Sequence, residues 1–184
     1  MVKIELLSET NFNEHSLDAY VRRQDVKRVY RREGNEYILV DMPYVEDWNL
    51  EKKRQVAMDI SSADYVSYIA LDDDNVVRFI GLKKQLNNDY MILDMMHVSA
   101  ACRGMGIGRK LFNLGKQEAK KAGAKALYIS ACSSEETIAF YRAMGAGLTK
   151  HPIQEIADDE PYDLQMICSV EQTTSRTNRA GGSF

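Results

Sequence analysis

The chain has 184 residues, 45% of them hydrophobic and 28% charged, with a formal net charge of −3. That length suits one folding unit that buries roughly 70% of its unfolded surface. The composition excludes disordered and coiled-coil classes, and the acidic balance excludes a dedicated nucleic-acid binder. No apolar stretch approaches the roughly 20 residues of a membrane span, and Glu5 stands where a signal peptide would be apolar. Cys102, Cys132 and Cys168 are odd in number and far apart, as free thiols in a reducing compartment would be. The expectation is a soluble, cytoplasmic protein.

From Val2 to Leu7 the sequence predicts a short edge strand, and Thr10 or Asn11 offers a cap for a helix carrying Phe12, Leu17, Ala19 and Tyr20. Alternation from Val26 to Met42, broken by Glu33-Gly34-Asn35, predicts a hairpin. Asn49 caps a helical segment that runs through Val56 and Met58 toward Ile60. The β-branched and aromatic runs Tyr65 to Leu71 and Val76 to Leu82, joined by Asp72-Asp73-Asp74-Asn75, predict a second hairpin. After Asn87-Asn88-Asp89, the apolar run Tyr90 to Val98 predicts a central strand. A glycine cluster follows, then a helix with Ile107, Leu111, Leu114, Ala119 and Ala122 on one stripe, ending at Gly123. Ala126 to Ala131 predicts a strand, Glu135 to Met144 a helix stopped by Gly145, and Tyr162 to Val170 the last strand. The composite is an α/β chain with a mixed sheet. It forms a single domain over residues 1–170, with a polar tail over 171–184 expected to be disordered.

The strongest local feature is Arg103-Gly104-Met105-Gly106-Ile107-Gly108-Arg109, between a buried-type strand and an amphipathic helix. The first amides of a helix lack internal partners, and the helix dipole adds about half a positive charge there. Glycine lets an anion approach the backbone, so this turn suits a phosphate or pyrophosphate, with Arg103 and Arg109 adding charge-assisted contacts. On the glycines alone, a tight strand-to-helix turn that binds nothing stays open. A P-loop needs Gly-Lys and then Ser or Thr, but Gly108 is followed by Arg109-Lys110-Leu111, with no hydroxyl for magnesium. A dinucleotide fingerprint needs its third glycine where Arg109 stands, and an acidic residue about 20 positions on, where Tyr128 sits.

Arg103-Gly104-Met105-Gly106-Ile107-Gly108 resembles the R/Q-x-x-G-x-G/A pattern of the GNAT superfamily of acyl-CoA-dependent N-acetyltransferases, and Met96-His97-Val98-Ser99 resembles the end of that family's fourth strand. Downstream, Ser134-Glu135-Glu136-Thr137-Ile138-Ala139-Phe140-Tyr141-Arg142-Ala143-Met144-Gly145 is similar to the family's second segment, N-x-x-A-I-x-F-Y-x-x-x-G-F. The matching stretch spans residues 90 to 146; upstream only the order of elements agrees. Ser134 stands for the usual cofactor-contacting asparagine, Thr137 for a small alanine and Ala146 for a phenylalanine.

The resemblance implies the GNAT fold: a mostly antiparallel sheet flanked by helices and splayed between the strands Tyr90–Val98 and Ala126–Ala131, with acetyl-CoA in the splay. It places the pyrophosphate on the amides of Met105 to Arg109, within a turn formed by Arg103, Gly104, Met105, Gly106, Ile107, Gly108 and Arg109. The pantetheine arm would pair along the backbone of Met96, His97 and Val98 as an added strand. Ser134 and Tyr141 complete the expected cofactor contacts.

The resemblance further implies direct attack of an amine on the thioester, without an enzyme nucleophile. A lysine-like amine with pKa about 10.4 is protonated at pH 7, and deprotonating it costs about 4.6 kcal/mol. A base must take that proton, and the leaving thiolate gains from a proton donor. Tyr141, at the family's F-Y position, is the candidate donor; the alternative is a core tyrosine on the stripe with Ile138 and Met144. Asp94 is the candidate base, because a carboxylate in an otherwise apolar strand is costly unless it is paired. It lies nine residues before Arg103, where some aminoglycoside and streptothricin N-acetyltransferases resemble it. The alternative is a strand residue paired with a neighbouring cation. His97 is expected on the opposite side of the strand as a structural histidine, and Cys132 as a buried, inert thiol. With His15, His97 and His151 scattered and no cysteine pair at ligand spacing, no metal site is expected.

Two acidic clusters, Asp72-Asp73-Asp74 and Asp158-Asp159-Glu160 with Asp163, would attract a polycationic amine if they lie near the splay; taken singly, each reads first as a solvated turn or loop. Tyr44, Trp48, Tyr65 and Tyr68 suit a pocket or a core. The leading expectation is an acetyl-CoA-dependent N-acetyltransferase acting on a small, cationic primary amine. A peptide or protein N-acetyltransferase and a non-catalytic acyl-CoA-binding sensor are the alternatives. Nucleic-acid and membrane partners are not expected, and a homodimer stays open.

Overall fold

The structure, a computed structural model, describes residues 1–98 and 106–171. Cys102, Arg103, Gly104, Met105 and the tail from 172 onward, including nearly all of the segment expected to be disordered, lie outside the described residues. In chain order the elements are β1 (Lys3–Leu6), β2 (Gln24–Glu33), β3 (Glu36–Glu46), α1 (Leu50–Ser61), β4 (Tyr65–Asp72), β5 (Asn75–Lys83) and β6 (Tyr90–Val98). They continue with α2 (Ile107–Lys121), β7 (Ala126–Ala131), α3 (Glu135–Ala143), β8 (Gly147–Leu148), α4 (Gln154–Asp159) and β9 (Leu164–Ser169).

Seven strands form one sheet in the order β1-β4-β5-β6-β7-β9-β8, and β2 and β3 form a separate hairpin. Both sequence-predicted hairpins are present. Gly34 turns the first with φ of 59°, and Asp73 and Asp74 turn the second with φ of 45° and 65°, left-handed geometry that matches the twist of the paired strands. The sheet is antiparallel except between β6 and β7, which α2 joins as a crossover. One core lies under α2 and α3, with Ile80, Leu82, Met91 and Leu93 from the sheet. A Cβ at Gly115 would stand 2.9 Å from Ile80 Cδ1, so α2 rides close on the strands. The other core packs Val56, Ala57 and Ile60 of α1 against Ile69 and Phe79.

The helix expected to carry Phe12 to Tyr20 is not formed; the segment is a series of turns. Side chains take the backbone donors a helix would use: Ser8 N–H donates to Asn11 Oδ1 (2.9 Å), Asn13 N–H to Ser16 Oγ (2.9 Å) and His15 N–H to Asn13 Oδ1 (2.8 Å). Phe12, Leu17 and Tyr20 are nonetheless buried in the second core. The short β8 and α4 were not anticipated, being too brief to carry a periodic signal.

Two irregularities shape the middle of the sheet. Leu82 pairs with Leu93 but Gly81 pairs with Met95, which leaves Asp94 as an extra residue, a bulge in β6. The parallel pairing of β6 with β7 runs from Tyr90↔Ala126 to Leu93↔Ile129 and stops there, although both strands continue. The β2–β3 hairpin docks beyond the end of β7. Tyr30 N–H donates to Ser133 O at 2.8 Å, Val29 bridges Ser134, and Arg28 holds both oxygens of Glu135 at 2.9 and 2.6 Å.

Candidate active site

Where β6 and β7 part, a cleft of about 690 Å³ opens. Past Leu93, the edge of β6 that β7 no longer covers presents main-chain groups to it. The start of α2 closes one end. Its N-cap, Gly106, has φ of 72° and supplies no side-chain cap. The first intrahelical bond is from Lys110 N–H to Gly106 O, so the amides of Ile107, Gly108 and Arg109 have no partner in the helix. A Cβ at Gly108 would lie 3.3 Å from Arg78 Nη1 and 3.4 Å from the Phe140 ring; the missing side chain lets the helix opening sit against a buried guanidinium. Gly106, Gly108, Arg109 and Arg78 line the cleft, whereas Ile107 packs into the core. Capless amides, glycine and two guanidinium groups fit a diphosphate, and the uncovered β6 edge fits an extended amide chain.

Tyr141 projects from α3, stacked with Phe140 and Phe112 at centroid distances of 5.4 and 6.1 Å. It is only 6% exposed, yet it lines the cleft and its hydroxyl has no hydrogen-bond partner among the described residues. Burial, and then the nearby Cys132 and Asp163, push its pKa above the usual 10, so it stays a neutral phenol. Burial likewise raises the Cys132 thiol. Expected to be buried, Cys132 is instead half-buried and lines the cleft.

Asp94 lines the cleft from the bulge with both oxygens engaged. Tyr65 donates its hydroxyl to Oδ2 at 2.6 Å, and Lys83 Nζ lies 3.1 Å from Oδ1. The paired-cation alternative thus describes its surroundings. His97 stacks edge-on against Trp48 at 4.5 Å and beside Phe79 at 5.7 Å. Burial first, then Arg22 and Lys52, hold its pKa well below 6.5, so the imidazole is neutral. Strict alternation would set Asp94 and His97 on opposite faces. The bulge adds one residue between them, and both meet the face of β5 that carries Phe79, Gly81 and Lys83.

Met96 lines the cleft, and Val98 ends β6 opposite Arg78. Ser134 does not reach the cleft. It is fully buried as the N-cap of α3, its hydroxyl accepting from Thr137 N–H and from Gln24 Nε2 at 3.1 Å. Of the acidic clusters, the Asp72-Asp73-Asp74 turn does not line the cleft, and Asp72 holds the N-terminal ammonium at 3.3 Å. Glu160 and Asp163 do line it; Asp158 and Asp159 do not. Trp48 lines the cleft, Tyr65 donates to Asp94, and Tyr68 donates to Glu118 on α2 at 2.8 Å.

Arg22, Glu46 and Arg78 also line the cleft and were not anticipated. Arg78 carried the signal that singled out Asp94, a charge in an apolar strand. Arg22 and Glu46, paired at 3.1 Å, carried none. Among the described residues no three His, Cys, Asp or Glu side chains cluster as metal ligands, and no helix is long and apolar enough to cross a membrane.

Residues 33–146 match the model of the acetyltransferase (GNAT) family. No protein of curated function matches the chain in sequence. Among solved structures the chain is similar to a nourseothricin acetyltransferase, with TM-score 0.72, 18% identity, and coverage of 92% of this chain and 99% of that one. It is also similar to a Bacillus anthracis protein named as a candidate streptothricin acetyltransferase and solved with acetyl coenzyme A (TM-score 0.67, 19% identity, 92% and 99% coverage). A third is the ribosomal-protein-S18-alanine N-acetyltransferase of Escherichia coli (TM-score 0.58, 15% identity, 96% and 98% coverage). At such identities the likeness is one of fold.

Proposed function

The chain belongs to the acetyltransferase (GNAT) family, whose acyl donor is acetyl-CoA, and from that premise we propose that it transfers the acetyl group directly to a primary amine of a small, cationic molecule. The observation that carries this reading is the cleft itself. Amides without helical partners at the opening of α2 support a bound diphosphate, and the same cleft is lined by the unpartnered phenol of Tyr141 and by Asp94, Glu160 and Asp163.

Bound in the splay, acetyl-CoA supplies an activated thioester. Gly106, Gly108, Arg109 and Arg78 would hold the diphosphate, and Arg103, Gly104 and Met105, expected to join them, lie outside the described residues. The uncovered edge of Met96, His97 and Val98 orients the pantetheine arm. Tyr141 directs its hydroxyl proton at the leaving sulfur. A phenol with a raised pKa is a weaker acid than a thiol, so it serves first as a hydrogen-bond donor to the developing thiolate. A carboxylate takes the proton of the ammonium, and the cleft offers Asp94 on β6 and Asp163 ahead of β9.

Two acidic side chains of the cleft lining, Glu160 and Asp163, support a cationic acceptor. A thiol-release assay with acetyl-CoA and a panel of amines tests the reading. Release with multiply charged small amines and weak release with peptides is the expected result. Tight CoA binding without release for any amine would favour a binding module instead.

A further inference from the structure

Five carboxylates line the cleft, Glu46, Asp94, Glu136, Glu160 and Asp163, and the surroundings of its two aspartates differ. Asp94 has one oxygen on the Tyr65 hydroxyl and the other on Lys83. Both oxygens of that carboxylate are thus already occupied within the protein. Asp163 precedes Leu164, which pairs with Ala131, so it stands across the ladder from Cys132 at the end of β7, beyond the point where β6 has parted. It is half-buried, lines the cleft, and its carboxylate makes no hydrogen bond among the described residues. The buried, unpartnered hydroxyl of Tyr141 lies near enough to feel its charge.

On the reading of the cleft as an acetyl-transfer site, we propose that Asp163, rather than Asp94, is the catalytic residue that takes the proton from the acceptor ammonium. The ammonium passes one proton to the Asp163 carboxylate, which later yields it to solvent. The freed nitrogen lone pair forms the bond to the acyl carbon, and the carbon–sulfur pair stays with sulfur. Tyr141 gives sulfur its hydroxyl proton and is re-protonated by the second proton of the nitrogen, leaving an amide and a free thiol.

The groups that face Asp163 are Glu160 at the end of α4, Glu46 on β3, Arg31 on β2, and Cys132 and Tyr141 across the cleft. Burial, and then Glu160 and Glu46, push its pKa up to about 7, with Arg31 pulling the other way. An acceptor poised near neutrality is matched to its task.

The experiment compares wild type, Asp163→Asn and Asp94→Asn, with acetyl-CoA and spermidine or kanamycin as probes, over pH 5 to 9. Wild-type kcat/KM is expected to rise to a plateau near pH 7. Asp163→Asn is expected to lose about 10²-fold at pH 7 and then to climb about tenfold per pH unit as free amine accumulates. Asp94→Asn should keep the wild-type limb. Carbon-13 NMR of carboxyl-labelled protein, assigned by the signal missing from Asp163→Asn, should show that carboxyl titrating near neutrality, and calorimetry should show unchanged CoA affinity in the same variant. A limb and rate indifferent to Asp163→Asn, a limb erased by Asp94→Asn, or a carboxyl titrating below pH 5 overturns this assignment alone. No thiol release by wild type overturns the transfer reading, and this assignment with it.

Discussion

Tyr141 joins two properties that rarely coincide: a ring packed among Phe112 and Phe140, and a hydroxyl left without a partner inside a cleft. Removing only the hydroxyl separates them. Tyr141→Phe keeps the packing, so thermal stability and CoA affinity should hold while kcat falls about 10²-fold; unchanged kcat removes Tyr141 as donor. Asp163 makes a prediction about stability. Its folded-state pKa, about 7, lies above the unfolded value near 3.9. Between these values the folded chain holds a proton that the unfolded chain has lost, so this group lowers stability as pH rises from about 4 to about 7. Asp163→Asn should therefore raise the unfolding temperature relative to wild type at pH 8 and leave it unchanged at pH 4. An equal effect at both values contradicts the burial of an ionised carboxylate. Asp94 was legible in the sequence because its strand is apolar, but its partners Lys83 and Tyr65 come from other strands and were not. Asp163 was visible only as one acid among several, since its burial depends on where β3 and α4 fall.

At the scale of elements, local rules carried far where a segment answers to its own sequence. Both hairpins, the Asn49 cap of α1 and the Gly123 end of α2 follow from turn chemistry and periodicity, whereas the buried face of α2 keeps Ile107, Leu111 and Ala119 of the expected stripe but takes Phe112 and Gly115 and leaves Ala122 exposed. They failed from Phe12 to Tyr20, where Ser8, Asn11, Asn13 and Ser16 compete for the backbone. They also missed the bulge at Asp94, because register belongs to a pair of strands and not to one. Ser134 holds two elements together. It caps α3 and anchors Gln24 of the β2–β3 hairpin at once. Ser134→Ala should lower stability by about 1–2 kcal/mol, combining a lost cap with a stranded donor, and should speed amide exchange in β2. Urea unfolding that leaves stability unchanged would show that neither bond matters.

At the scale of the molecule, the single parallel pair in the sheet sets up the site. Joining β6 to β7 in parallel requires a crossover, and the crossover brings the opening of α2 to the carboxyl end of β6, where the two strands separate. Arg78 then stands against Gly108 at the α2 opening, and Glu46, Glu160 and Asp163 lie near one another on the lining of the same cleft. A chain with net charge −3 in this way lines one cleft with both cations and carboxylates. The order of elements announced this layout; the ends of the cleft needed three-dimensional placement. A crystal structure of the protein with acetyl-CoA tests the central claim most directly. The diphosphate is expected on the amides of Ile107 to Arg109, with the thioester sulfur within about 3.5 Å of the Tyr141 hydroxyl. A diphosphate bound away from α2, or a sulfur out of reach of Tyr141, contradicts it.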